Sequence, residues 1–183
     1  CCSKLFVYAN PLNPTKKRGL PLFKLHGSLN WRETNRGVEN LSEAVRRAVP
    51  MEFHANGTWV QPCVIGPTLF KQEVTVDFQQ DNRAKFFKGL WRMCWDSLCR
   101  ADVLVFVGFS FPPTDFHAAA LFRSAHLNGT GFRRIVLCHH HDPNLRGTAE
   151  QVFSGRRTQI TEFAGGLEDM ADRIDELVTL VRA

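Results

Sequence analysis

No apolar run in this 183-residue chain approaches the roughly 20 residues that cross a bilayer, so a membrane-spanning helix is excluded. There is no Cys-x-x-Cys pair, so the six cysteines lack the spacing of a structural zinc site, and no zinc is expected. Cys1 and Cys2 are adjacent, Cys94 and Cys99 share one predicted helix, and Cys138 ends a predicted strand. Such cysteines act as small core hydrophobes in a reducing cytosol, which places the chain in the cytoplasm. Gly-x-Gly-x-x-Gly is absent too, and with it the strongest dinucleotide fingerprint. Internal repeats and low-complexity segments are lacking. The chain also has no initiating Met and no signal peptide. It begins Cys1-Cys2 and enters an apolar run within three residues, which reads as a segment cut from a longer protein.

What is present is ordinary for a globular domain: 44% hydrophobic and 22% charged residues. Disorder, collagen and coiled coil do not fit that balance. The length suits one domain, 1–183, with residues 32–83 read as a small insertion. The net charge of +5 comes from 23 basic and 18 acidic residues. The basic residues fall in scattered groups, Lys16-Lys17-Arg18, Arg46-Arg47, Arg133-Arg134 and Arg156-Arg157. Scattered pairs read as solvated surface charge, not as a nucleic-acid face.

The first predicted strand covers Lys4 to Tyr8 and the second Leu22 to Leu25, with a turn-rich loop from Asn10 to Gly19 between them. A short helix is expected over Leu41 to Val49, and a hairpin arm over Thr58 to Val64 behind the turn pair Asn56-Gly57. From Ala84 the pattern is regular. Phe87, Leu90, Trp91, Cys94 and Leu98 share one helix face, and that aromatic stripe reads as core. The run Val-Leu-Val-Phe-Val within Asp102 to Val107 predicts a central parallel strand covered on both faces. A helix over Phe116 to Leu127, a strand over Arg134 to Cys138, a helix over Asn144 to Phe153 and a strand over Thr158 to Phe163 follow. One last helix carries Leu167, Met170, Ala171, Ile174, Leu177, Val178 and Val181 on a single face. This alternation predicts an α/β, Rossmann-like parallel sheet with helices on both faces.

Ligands of open parallel sheets bind at the carboxyl ends of the strands. Three such ends carry chemistry: His26-Gly27-Ser28, Gly108-Phe109-Ser110 and Cys138-His139-His140-His141-Asp142. Gly108 permits a close backbone approach, Ser110 offers a hydroxyl, and Asp115 can cap the helix after it. His26 is the natural acid/base group, since an unperturbed imidazole titrates at about 6.5. Consecutive histidines at a strand end point in alternate directions, so the run at 139–141 is a poor metal site.

The strings Lys24-Leu25-His26-Gly27-Ser28-Leu29-Asn30-Trp31 and Ala101 to Asp115 (ADVLVFVGFSFPPTD) resemble the sirtuin-like domain family, in particular its divergent, mostly bacterial NAD-consuming members. Gly66-Pro67-Thr68 with Lys71 resembles a segment between those motifs, and order and spacing agree over Leu22 to Leu127. The resemblance implies a Rossmann-like sheet with NAD at the strand ends. His26 would be the general base that engages the NAD ribose, and Gly108 and Ser110 would contact NAD. Phe109 between them, Asp115 and Ser28 are counted with the NAD-binding residues. The chain departs from the family in lacking an upstream Gly-Ala-Gly-type loop and Asn-x-Asp motif, because only 25 residues precede His26. His139 or His140 stands where the family often has Asn. The four-cysteine zinc module is also missing, since Asn30 to Pro62 holds no cysteine. The implied activity of the complete parent is hydrolysis of NAD to nicotinamide and ADP-ribose. NAD-dependent protein deacylation, nucleotide sensing without turnover, and an inert isolated chain stay open. The resemblance leaves room for a homo-oligomer and for a fused partner domain.

Overall fold

Strands and helices form in two units of the chain, Cys1–Cys94 and Trp95–Ala183. The computed structural model describes residues 6–8, 20–34, 37–40, 53–55, 58–60, 62–64 and 82–182.

In the first unit, β1 (Phe6–Tyr8) pairs in parallel with β2 (Leu20–Leu22). β3 (Gly27–Thr34) lies between β4 (Gly37–Asn40) and β7 (Pro62–Val64), antiparallel to both. β5 (Phe53–Ala55) and β6 (Thr58–Val60) form a hairpin in which Ala55 faces Thr58. Asn56-Gly57, the predicted turn pair, are the residues between them. The predicted arm Thr58 to Val64 is thus two strands that serve different sheets. The predicted helix over Leu41 to Val49, the loop Asn10 to Gly19 and the segment Gly66 to Lys71 fall outside the described residues. The helix α1 (Asn82–Leu98) buries Phe86, Phe87 and Leu90 against Trp31, with Phe23, Leu25 and Met93 around them.

The second unit takes over at Trp95, near the end of α1. Its strands β8 (Val103–Val107), β9 (Arg134–His139) and β10 (Gln159–Ala164) form a parallel sheet in the order β10-β9-β8. The register runs Val103↔Arg134 to Val107↔Cys138, and Gln159↔Arg134 to Ala164↔His139. Between the strands lie α2 (Phe116–Asn128) and α3 (Leu145–Val152), and after them α4 (Leu167–Asp172) and α5 (Ile174–Arg182).

Side-chain alternation along β9 sends residues to both faces. Ile135 and Leu137 join Ala125, Leu145, Ala149 and a cluster of phenylalanines on the α2–α3 side. Val136 and Cys138 join Phe163, Leu177 and Met170 on the α4–α5 side. The second unit is therefore α/β, with a three-stranded parallel sheet flanked by helices on both faces.

Three local expectations change. The apolar run of β8 was read as the central strand, but β9 holds the centre and β8 is an edge of this sheet among the described residues. Val105 and Val107 are each 38% exposed, while Ile135 to Cys138 are sealed. The unbroken apolar run of β8 thus gave neither the strand's rank in the sheet nor the cover of both its faces. The single terminal helix is two helices, because Arg173 leaves helical geometry (φ −115°, ψ 34°). Its guanidinium lies over the Phe163 ring and donates to the Ala164 carbonyl. Arg134, read with Arg133 as surface charge, is only 2% exposed. It donates to the Leu180 carbonyl and to Gln159 Oε1, tying the last turn of α5 to β9. No helix among the described residues is long and apolar enough to cross a membrane.

Candidate functional site

At the carboxyl end of β9 two ladder bonds hold the sheet together to its last residues. Gly108 N–H donates to the Cys138 carbonyl and Gly165 N–H donates to the His139 carbonyl, both at 3.0 Å. Beyond these bonds the connections diverge and open a cleft of about 600 Å³. It is lined by Val107 to Ser110 after β8, Cys138 to Asp142 after β9, Leu145, and Gly166 after β10.

The β8 wall is shaped by two left-handed residues. Gly108 has φ +64°, and a Cβ there would meet nothing within 4 Å, so glycine serves the backbone conformation, not space. Phe111 has φ +52°, which costs a side-chain-bearing residue about 1–2 kcal/mol. Its buried ring offsets that cost, packing on Phe106 at 4.9 Å and Phe109 at 5.0 Å. Full burial of a phenylalanine is worth about 1.5–3 kcal/mol. With the rings of Phe109 and Phe111 in this aromatic cluster, Ser110 between them is left exposed on the cleft. Asp115 lies outside the cleft lining formed by the described residues. It stands at the N-cap position of α2, but its side chain makes no capping bond there.

The β9 wall is built from histidines with separate jobs. His139 Nδ1 accepts the Asp142 N–H at 3.1 Å, and its Nε2 lies 3.6 Å from Glu162 Oε1. The accepting Nδ1 assigns the neutral ring's proton to Nε2. His140 turns instead toward Asp169, 3.9 Å away, with an 80% exposed side chain. Its ring lies so close to Gly166 that a Cβ there would sit 2.5 Å from Nε2. Asp142 Oδ1 accepts the Asn144 N–H at 3.0 Å and leads the chain toward α3. No group of three metal-ligating side chains occurs among the described residues. The thiol of Cys138 is sealed in the core against Phe163 and Leu177, and burial raises its pKa.

In the first unit, the Gly27 N–H donates to the Lys24 carbonyl at 2.9 Å, and Gly27 has φ +83°. Leu25 and His26 are the central residues of this turn, which precedes β3. His26 was expected at the end of a strand over Leu22 to Leu25; β2 ends at Leu22 instead, and Gly27 and Ser28 begin β3. The His26 ring meets Trp91 edge-on at 6.4 Å, and Trp91 Nε1 donates to the Leu25 carbonyl at 3.0 Å. Ser28 Oγ accepts from Lys24 Nζ at 2.8 Å.

The structure thus places Gly108, Phe109 and Ser110 on one cleft of the second unit, while in the first unit His26 lies in a turn and Ser28 at the start of β3. Sequence reasoning noticed the histidine run but did not count it among the site residues, and it missed Gly166. The signal for Gly166 is the pair Gly165-Gly166 directly after a predicted strand, the position that also marked Gly108. Compared with models of known families, with curated proteins and with solved structures, the chain finds no match.

Proposed function

We propose that this chain is the NAD-binding portion of a Rossmann-like, sirtuin-like domain whose complete parent hydrolyses NAD to nicotinamide and ADP-ribose. The observation that carries the reading is the cleft over the ends of β8 and β9, lined by the Gly108-Phe109-Ser110 turn. Its volume of about 600 Å³ falls in the usual range for small-molecule sites, about 300–1,000 Å³. Its position obeys the rule for ligands of open parallel sheets. The lining holds backbone amides, a free-standing serine hydroxyl and imidazoles, and no lysine or arginine among the described residues. Such groups match the hydroxyls and ring nitrogens of a nucleoside better than a bare polyphosphate. Cys94, Cys99 and Cys138 are free thiols, which supports a reducing, cytoplasmic setting.

In this reading the bond between the nicotinamide nitrogen and ribose C1′ breaks, and its electron pair leaves with neutral nicotinamide. The oxygen of water forms the new bond to C1′ through an oxocarbenium-like state, and the water releases one proton to solvent. His26 handles the proton of a ribose hydroxyl. The hydrolytic step and the role of His26 rest on the family resemblance alone.

The test incubates the full-length protein with NAD and follows nicotinamide by chromatography. Release with NAD alone, abolished by His26→Ala, is expected. Release only with an acyl-lysine peptide selects deacylation. Saturable NAD binding by calorimetry without product selects a sensing module. A full-length protein that neither binds nor consumes NAD overturns the reading.

A further inference from the structure

We infer that His139 is the positioning residue of the cleft: it folds the rim loop 139–142 into its ligand-receiving shape by accepting the Asp142 amide, and leaves ligand contact to its neighbours. This rests on the nucleotide reading of the cleft. His139 is the last residue of β9, with a side chain 18% exposed. Both of its ring nitrogens address the protein. Nδ1 holds the Asp142 N–H across three residues, and Nε2 faces the Glu162 carboxylate. Glu162 in turn lies 3.8 Å from Arg146 Nη1 on α3, and Arg146 Nε donates to Glu150.

An acceptor on Nδ1 requires the proton on Nε2, and a carboxylate facing Nε2 favours that tautomer. Glu162 therefore selects the ring state that can hold the loop. With the loop closed on Asp142, whose carboxylate holds the Asn144 amide, His140 and His141 are exposed on the cleft rim. The run of three histidines thus divides its work. The first organises the rim, and the next two present imidazoles to whatever occupies the cleft.

The test uses the whole chain, with NAD as the probe. Nitrogen NMR of the His139 ring should report the Nε2–H tautomer. In His139→Ala the Asp142 amide should exchange with solvent roughly tenfold faster, the scale of one lost hydrogen bond, with the β9 and β10 core amides unchanged. NAD should bind roughly tenfold more weakly for the same reason. His139→Asn, whose amide oxygen can accept the same N–H, should restore part of both. An Nδ1–H ring, or unchanged Asp142 exchange in both variants, overturns the proposal. Wild-type chain that binds no NAD while Asp142 is protected by His139 counts against the nucleotide reading and leaves the positioning role standing.

Discussion

At Phe111 the backbone takes a left-handed conformation that side-chain-bearing residues avoid, and ring burial holds it there. This has an unusual consequence for substitutions. Phe111→Ala should cost about 3 kcal/mol, as core phenylalanine truncations do. Phe111→Gly loses the same ring but relieves the φ strain of about 1 kcal/mol. The glycine variant should therefore be at least as stable as the alanine variant, the reverse of the usual order; urea denaturation of both decides. A second residue-scale prediction concerns His126, which is fully buried against Phe132 and Phe153. Its Nδ1 accepts the Phe132 N–H, and its Nε2 faces Thr158 Oγ1, whose hydroxyl donates to the Phe132 carbonyl. Burial first, and then Arg156 and Arg123, lower its pKa, against a backbone contact at Phe153 that raises it. The unfolded chain therefore binds a proton here before the folded one does. The contribution of His126 is complete above about pH 6.5 and shrinks as pH falls below that value. Urea midpoints at pH 7 and pH 5 should differ, and His126→Gln should reduce that difference. An equal difference in the variant would show that other groups set it. None of this was legible in the sequence, where Phe111 stood within the motif string Ala101 to Asp115 and His126 within the predicted helix Phe116 to Leu127.

Among the elements, the connection from α2 to β9 is held by a close backbone approach. A Cβ on Gly129 would meet the Cys99 carbonyl oxygen at 2.4 Å and the Cys99 Cα at 2.5 Å. Both are backbone atoms, next to the bond from the Thr130 N–H to that same carbonyl. Gly129→Ala should cost about 1–3 kcal/mol, as overpacking does, although its φ of −91° suits any residue. Gly108→Ala should cost about 1–2 kcal/mol for the opposite reason: space is open, but φ is positive. Thermal melts of the two variants separate these causes, because Gly129→Ser should worsen the first while Gly108→Asn should ease the second. Helix and strand identities were largely legible from Asn82 onward: α1, α2, α3, β9 and β10 fall within a few residues of their predicted spans. Their apolar periods are long and unambiguous. The order of β8 and β9 was not legible, because a strand's pairing partners leave no mark on its own apolar run. The break at Arg173 was hidden as well, since the apolar face of α4 and α5 continues across it.

For the molecule as a whole, the nucleotide reading makes a spatial prediction. Saturating NAD should slow amide exchange at 108–110, 139–142 and 165–166, the three strand ends that meet at the cleft, and not along the outer face of α2. It should also stabilise the fold by about 2.7 kcal/mol at a hundredfold excess over Kd, so that the melting temperature climbs with the logarithm of free NAD. Protection elsewhere, or a shift that does not grow with NAD, would count against the cleft as the binding site. The amino-acid sequence by itself determined the α/β alternation, the glycine turn after β8 and the placing of histidines after β9. These follow from local periodicity and from residues whose backbone freedom or chemistry is their own. Tertiary structure alone decided that β9 is central, that Arg134 is a buried tie to α5, and that His139 faces the protein while His140 faces the cleft rim. Those properties depend on which distant groups arrive beside a residue: Leu180 for Arg134, Glu162 for His139 and Gly166 for His140. Contacts across such sequence distances carry no local period, so they exist only once the sheet has assembled.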